Sequence, residues 1–247
     1  AVGQYVAAVR ISELTETISA AVIFAIFPVL CSAASSPERF GNYVSTVFRM
    51  LLFGVSCLCL AVFAGSNFII AVYYGPQFLS SAPLLRILVW SEMAVFFSAV
   101  VNTSLLASAR ERFVLVPTIS GAVLNVALNL VWIPKYGPAG ACWATLVSYG
   151  IGSTLVLLAL PSARGLLLRG WQVLAPSILL LSIALAAIVY LPANAGVRGL
   201  IGVAIFVCAA PLFGIIKRED VTFGLQFVGR LFRTADNAGD APQSVGS

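Results

Sequence analysis

Long apolar segments follow one another along most of the chain, separated by short polar connections. Each segment is near or above the roughly 20 residues that an α-helix needs to cross a bilayer. Only 9% of the residues are charged, whereas a soluble domain has about 25%. The sequence therefore predicts an all-α polytopic membrane protein with about seven transmembrane helices. The predicted segments are residues 11–34, 43–65, 82–109, 113–133, 139–160, 171–191 and 198–216.

Several classes of function are excluded by what the chain lacks. It has no histidine, so it holds neither a histidine-based metal site nor a histidine general base. It contains no G-x-x-x-x-G-K-[ST] nucleotide-binding loop and no G-x-S-x-G nucleophile elbow. The net charge of +5 comes from basic residues scattered at segment ends, which membrane topology explains without nucleic acid. We therefore expect no catalytic residues, no metal and no bound cofactor.

The distribution of Lys and Arg predicts how the chain is oriented in the membrane. Ten of the 14 basic residues fall on the side that contains the carboxyl-terminal tail. Because the cytoplasmic side of a membrane protein carries the excess of basic residues, we expect the tail to be cytoplasmic and Ala1 to lie outside. The basic residues on the predicted outer side are Arg10, Arg86, Lys135 and Arg198.

Ionisable side chains inside the first and third segments, or at their edges, are costly at membrane depth and are therefore functional candidates. Arg10 and Glu13 are three residues apart on one helix face, and Glu16 lies beside them. This cluster either lines a water-filled vestibule for a cation, a proton or a charged headgroup, or forms a local Arg10–Glu13 pair at the interface. Glu92 lies deeper in the third segment and needs a partner or a wet cavity, whereas Arg86 is near the outer end.

Asparagines in the third and fourth segments form a second group of candidates. Asn102 lies in the third segment. These amides either bond to neighbouring helices or line a substrate path, and the sequence leaves both interpretations open. One face of the fourth segment carries small and polar side chains at helical spacing, namely Thr118, Gly121, Asn125 and Asn129.

A turn is predicted between the fourth and fifth segments, from Pro134 to Gly137. Beyond it, small residues recur at strict four-residue steps from Gly140 to Gly152. A small-xxx-small pattern allows helices to approach closely in membranes. We therefore expect the fifth segment to pack tightly against a neighbour.

Three short landmarks occur in order over residues 2–149. Residues 2–30 hold VGQY, AA, RI and FPVL, and residues 74–88 read YGPQF, then A, then LRIL. Residues 125–149 match the pattern N-x-x-L-N-x-x-x-I-P-x-Y-G-x-x-G-A followed by A-T. Together they resemble landmarks in the second half of polysaccharide and O-antigen flippases, the oligosaccharide-lipid exporters of the multidrug/oligosaccharidyl-lipid/polysaccharide superfamily.

This resemblance implies an architecture. Such flippases have two pseudo-symmetric six-helix lobes around a central cavity, and they are transporters rather than enzymes. Members of the 14-helix type carry two further helices, so the seven segments correspond to helices 8–14 and the chain to the C-terminal part of a longer protein. The implied division is residues 1–160 for the C-terminal lobe (helices 8–12), 161–216 for two peripheral transmembrane helices, and 217–247 for a cytoplasmic tail, amphipathic at first and then disordered.

The resemblance also implies an activity, which is moving an undecaprenyl-linked oligosaccharide across the bacterial inner membrane by alternating access. The products would be O-antigen, lipopolysaccharide or another exported polysaccharide. Cationic side chains would attract pyrophosphate or acidic sugars, and carboxylates would take protons or sodium ions from a coupling gradient. The implied partners are membrane lipids, a glycan polymerase and glycosyltransferases.

Other functions stay open at this point. A cation-coupled multidrug antiporter belongs to the same superfamily. A membrane-embedded glycan polymerase or ligase would present a large outer loop, and the predicted outer loops are short. A non-transporting remnant or subunit is the remaining alternative, because the resemblance covers only one of the two lobes.

Overall fold

Helices account for all regular secondary structure in the residues that this computed structural model describes, which are 2–152, 154–192 and 194–225. A few side chains inside those ranges, including that of Glu16, are outside the description. The predicted all-α fold class is confirmed. The helices are α1 (Val2–Ala33), α2 (Pro37–Tyr74), α3 (Ala82–Leu88), α4 (Ser91–Ala107), α5 (Leu115–Tyr136), α6 (Pro138–Val147), α7 (Pro161–Tyr190), α8 (Ala195–Ala209) and α9 (residues 218–225).

The described helices form a multi-pass arrangement. Four are long and apolar enough to cross a membrane on their own, and these are α2, α5, α6 with its continuation to Ala159, and most of α7. The bent pair of α3 and α4 makes a fifth if it crosses as one span. Shorter apolar helices cover Ala21–Ala33 of α1 and Ala195–Ala209 of α8.

The central element is α2, a helix of 38 residues against which α1, α4, α7 and α8 pack. It begins with Pro37, whose missing N–H costs nothing at a first helical position, and ends where Gly75 adopts a φ of 87°. Phe48 and Leu60 are fully buried in the core around it. The sequence predicts only residues 43–65 for this helix, because polar residues at its ends resemble connections. Helix ends that reach water tolerate such residues, so the helix is longer than its apolar segment.

The predicted third segment is divided into α3 and α4, which meet at a bend of 40°. Short 3₁₀-type bonds close this bend, from the Trp90 N–H to the Ile87 carbonyl and from the Glu92 N–H to the Val89 carbonyl, both at 3.3 Å. The thiol of Cys59 on α2 donates to the same Val89 carbonyl at 3.1 Å. The bend is therefore anchored on the central helix, and it places Glu92 in the first turn of α4.

A single glycine separates α5 from α6, so the turn predicted to start at Pro134 is shorter than expected. α5 continues through Pro134 to Tyr136, and Gly137 alone turns the chain, with a φ of 59° that favours glycine. Gly140 then lies directly on α5, because a methyl group at this position would overlap the backbone of Trp132. The tight packing predicted from the small residues is thus present between these two helices.

Beyond Val147 the regular α-geometry of α6 is lost, and Ser148–Gly152 form a π-helical turn. The hydroxyl of Ser120 on α5 donates to the Gly152 carbonyl at 2.7 Å. π-Turns often occur at functional sites, because they change the direction in which one side chain points. Here the turn contains Tyr149, and its bond to α5 holds that residue beside α4 and α5.

The connection predicted over residues 161–170 is instead helical, because α7 begins at Pro161 and runs to Tyr190. Arg169 donates from Nη1 to the Gly41 carbonyl of α2 at 3.2 Å. This hydrogen bond gives the charged side chain a partner, so it can lie within the helix. α8 then packs against both α7 and α2. The division of the chain near residue 160 into a lobe and two peripheral helices stays a prediction.

The start of the predicted amphipathic tail is helical and docks on α2. Arg49 of α2 donates from Nε and Nη2 to the two carboxylate oxygens of Asp220 in α9, both at 2.6 Å. The rings of Tyr43 and Phe223 lie 5.7 Å apart beside this pair. Arg49 is one of the ten basic residues that the sequence places on the cytoplasmic side, where it is predicted only to determine topology, whereas the structure gives it a buried partner. The rest of the predicted tail, residues 226–247, lies outside the described residues.

Candidate functional site

A cavity of about 580 Å³ lies between α4 and α5, and we call it the asparagine cavity. Ser98 and Asn102, one turn apart on α4, line one side, and Thr118 and Asn125 of α5 line the other. Tyr149 from the π-turn contributes its ring. The remaining lining residues are small or apolar: Ala94, Val95, Ala99, Gly121, Ala122 and Val126.

Polar atoms in and beside this cavity are incompletely paired. Asn129 donates from Nδ2 to Oδ1 of Asn125 at 2.8 Å, within α5. Three buried oxygens have no hydrogen-bond partner among the described residues, and an unpaired buried polar atom costs roughly 1–3 kcal/mol. Water or a polar substrate in a cavity of this size would relieve that cost. The oxygens are Ser98 Oγ, Asn102 Oδ1 and Asn129 Oδ1.

A second cavity, of about 220 Å³, shares Tyr149 with the first. Ser12 and Glu13 of α1 line it, together with Ser91 and Thr145. Hydroxyl and carboxylate groups therefore continue the polar lining from the asparagine cavity toward α1. We call the two cavities together the polar path.

Glu92 is fully buried (0% exposed) next to the polar path. Ser12 donates from Oγ to Glu92 Oε1 at 2.7 Å, which links α1 to the first turn of α4. Because Ser12 also lines the smaller cavity, the buried carboxyl group is one side chain away from the path. An ionisable group at such a position in a membrane protein is costly and typical of functional sites.

The predicted charged cluster on α1 includes a local ion pair. Arg10 Nη1 and Glu13 Oε2 are 2.9 Å apart, with 68% and 48% of their side chains exposed. Glu13 is therefore both half of this pair and part of the lining of the smaller cavity. The side chain of Glu16 lies outside the described part of the structure.

Arg86 lies apart from the polar path. Its Nε donates to Ser66 Oγ on α2 at 2.7 Å, and its guanidinium carbon is 5.7 Å from the ring centroid of Phe63. It lines a separate cavity, which also contains Arg198. The structure thus places the two predicted candidates of the third segment, Arg86 and Glu92, at different sites.

Sequence reasoning locates much of the path but misses several lining residues, among them Ser98, Ser91, Thr145 and Tyr149. Ser98 precedes Asn102 by four residues, and this spacing places both on one helix face, so the pattern was available. Tyr149 had no such signal, because it is a single tyrosine in the middle of the predicted segment 139–160. The predicted candidates that line the path or bond to a residue that lines it are Arg10, Glu13, Glu92, Asn102, Asn125 and Asn129.

The chain is similar in sequence to two curated proteins, both archaeal. It is 27% identical over 158 residues to the probable low-salt glycan biosynthesis flippase Agl15 of Haloferax volcanii, covering 62% of this chain and 33% of that protein. It is 30% identical over 108 residues to the uncharacterized membrane protein MJ1068 of Methanocaldococcus jannaschii, covering 44% of this chain and 21% of that protein. No protein-family model matches the chain.

The fold is similar to that of a solved flippase. The lipid II flippase MurJ, in an inward closed conformation, matches with a TM-score of 0.61 and 16% identity, over 85% of this chain and 47% of that chain. At this identity the likeness shows the fold alone. The chain spans about a third and about a fifth of the two curated relatives, and about half of the solved flippase. These comparisons confirm the predicted resemblance to superfamily flippases, which are transporters and not enzymes.

Proposed function

We propose that the protein moves a lipid-linked glycan between membrane leaflets by alternating access, with this chain supplying one lobe of the transporter. The observation that carries the proposal is the asparagine cavity, whose unpaired buried oxygens on Ser98 and Asn102 lie within a flippase-like fold. Sugars present many hydroxyl groups, and amide and hydroxyl side chains both donate to and accept from such groups. A path lined by these groups and by small residues suits an oligosaccharide.

A lipid-linked glycan has a polar head and a long apolar tail, and α5 offers a surface for each. Thr118 and Asn125 line the asparagine cavity. Ile119, Val123 and Leu130 are exposed on a different face of the same helix. In this proposal the glycan follows the polar path while the carrier stays in the hydrocarbon layer.

The identity of the carrier and of the membrane is proposed from the family resemblance. The substrate would be an undecaprenyl-linked oligosaccharide for O-antigen, lipopolysaccharide or another polysaccharide, and the membrane the bacterial inner membrane with a cytoplasmic C-terminus. The polar contacts Arg169–Gly41 and Arg49–Asp220 support the topology, because they bring together helix ends that the basic-residue count places on one side. A glycan polymerase and glycosyltransferases are the proposed partners.

A leaflet assay tests the proposal in cells that lack the gene for the full-length protein. An impermeant glycan-modifying reagent is applied to intact cells and then to opened cells. The amount of modified lipid-linked oligosaccharide is measured in each case. We expect the oligosaccharide to accumulate on the inner leaflet and to return to the outer leaflet when the gene is restored. Normal outer-leaflet exposure in a strain with no second flippase would contradict the proposal.

We further propose that transport is coupled to a proton or sodium gradient through Glu92. Glu92→Gln keeps the size of the side chain and a carbonyl acceptor for the Ser12 hydroxyl, but it removes the ionisable group. The variant is expected to keep its expression level and to lose the dependence of transport rate on the ion gradient. Glu38→Gln, which changes an exposed carboxylate in the first turn of α2, is the matched control. An unchanged gradient dependence in Glu92→Gln would remove this assignment.

A further inference from the structure

Two arginines converge on a cavity of about 230 Å³ that is separate from the polar path. Arg86 reaches it from α3 and Arg198 from the first turn of α8. Val189 near the end of α7 and Phe63 of α2 complete much of the lining. We call this the arginine cavity, and neither the polar path nor the proposed glycan translocation makes use of it.

The two guanidinium groups have more donors than the described protein atoms accept. Arg86 uses Nε for Ser66 Oγ at 2.7 Å. Arg198 donates from Nη1 to the Val189 carbonyl at 3.3 Å, and its buried Nε has no partner among the described residues. Each guanidinium has five N–H donors. Most of these donors are therefore available to a ligand in the arginine cavity.

The charge of the arginine cavity is unbalanced. Its described lining includes two cations and no carboxylate, and neither Arg86 nor Arg198 forms an ion pair with a described acidic residue. Arg86 and Arg198 are half-buried, and two cations that share a partly dehydrated cavity without a counter-charge repel each other. An anion in the cavity would remove this cost, and the planar guanidinium fork matches the oxygens of a phosphate group.

The position of the cavity indicates where such an anion would come from. α7 ends at Tyr190 and α8 begins at Ala195, so Arg198 and Val189 lie at a tight connection between two apolar helices. The ends of membrane helices lie at the level of lipid headgroups. Arg86 and Arg198 also belong to the small set of basic residues that the sequence places on the outer side.

We propose that the arginine cavity binds a phosphate group, as the headgroup phosphate of an anionic lipid or as free phosphate. Arg86 and Arg198 hold the phosphate oxygens, and Ser66 and Phe63 fix the orientation of Arg86. The bound anion joins α3 to the α7–α8 connection. The assignment concerns binding alone, so it holds or fails independently of glycan translocation.

Native mass spectrometry of the full-length protein in a non-ionic detergent tests this site. The protein is titrated with phosphatidylglycerol and, separately, with zwitterionic phosphatidylcholine. We expect selective retention of phosphatidylglycerol, weakened about fivefold by either Arg86→Gln or Arg198→Gln and about 25-fold by both, as expected for the loss of one basic residue at a time. Lys135→Gln, which removes an exposed basic residue on the same predicted side, should retain the lipid as the unmodified protein does.

A second variant keeps the test decisive if the arginine variants fold poorly. Val189 is 49% exposed, and Val189→Glu introduces a carboxylate into the cavity while leaving both arginines in place. The new carboxylate should pair with the two arginines and abolish selective retention of phosphatidylglycerol.

Competition by inorganic phosphate distinguishes the two sources of the phosphate group. Displacement of the lipid shows that free phosphate occupies the site, and resistance to displacement assigns the site to a lipid headgroup. Equal retention by Val189→Glu, the double arginine variant and Lys135→Gln would overturn the proposal.

Discussion

Ala99→Trp is expected to stop translocation, because it places a large apolar ring inside the asparagine cavity. Ala99 lines this cavity next to Ser98 and three residues before Asn102, so an indole there would fill the space and cover the unpaired oxygens. We expect the transport rate to fall at least about tenfold, since a barrier raised by about 1.4 kcal/mol already gives that factor. The leaflet assay measures the rate, normalised to the amount of protein in the membrane.

A matched tryptophan outside the cavity separates this effect from a general disturbance of packing. Ala127 is exposed on α5 and borders a shallow groove on another face of that helix. Ala127→Trp is expected to transport at close to the normal rate. If Ala99→Trp transports as fast as Ala127→Trp, the asparagine cavity is not the route of the glycan.

Helix positions follow from the sequence, but helix ends and bends do not. The apolar segments are visible because hydrocarbon thickness demands a minimum length of apolar residues. Charged residues outside the hydrocarbon do not end a helix, so α2 exceeds residues 43–65 and α7 begins at Pro161. The bend after α3 depends on a contact from Cys59 to the Val89 carbonyl. Such a contact can be predicted only when the packing of α2 against α3 is already known.

The candidate site shows the same division between local pattern and tertiary arrangement. Asn125 and Asn129 were predictable as one unit, because their four-residue spacing puts them on one face of α5. The separation of Arg86 from the polar path was not, since it depends on contacts with Ser66 and Phe63 of α2 and on the cavity shared with Arg198. Tyr149, which lines both cavities, lies in the π-turn that follows α6, and the local sequence does not predict that turn.

Asp220→Ala is expected to release α9 from the central helix. The carboxylate of Asp220 is almost fully buried, with 1% of its side chain exposed, and forms a two-point ion pair with Arg49. Removing one member of a buried pair leaves an uncompensated charge and costs about 3–5 kcal/mol. Because Arg49 is partly exposed, we take the lower end of this energy range. It corresponds to about a hundredfold faster hydrogen–deuterium exchange in residues 218–225. Glu219→Ala, at the exposed neighbouring position, is the control.

A double-mutant cycle and a pH series identify the ion pair as the cause. Arg49→Ala combined with Asp220→Ala should raise exchange by much less than the two single changes together, because their effects share one interaction.

Burial alone would raise the pKa of Asp220, but hydrogen bonds from Arg49 and from the Lys217 N–H, with the charge of Arg49, lower it on balance from its usual value of 3.8. A carboxyl group with a lowered pKa stabilises docking above that usual value, and the stabilisation is lost as the pH falls through the lowered pKa. The difference in exchange between the unmodified protein and Asp220→Ala, corrected for intrinsic rates, should thus be complete near neutral pH and disappear only below pH 3.8. A difference that is the same at both pH values would show that the carboxylate charge does not hold α9 in place.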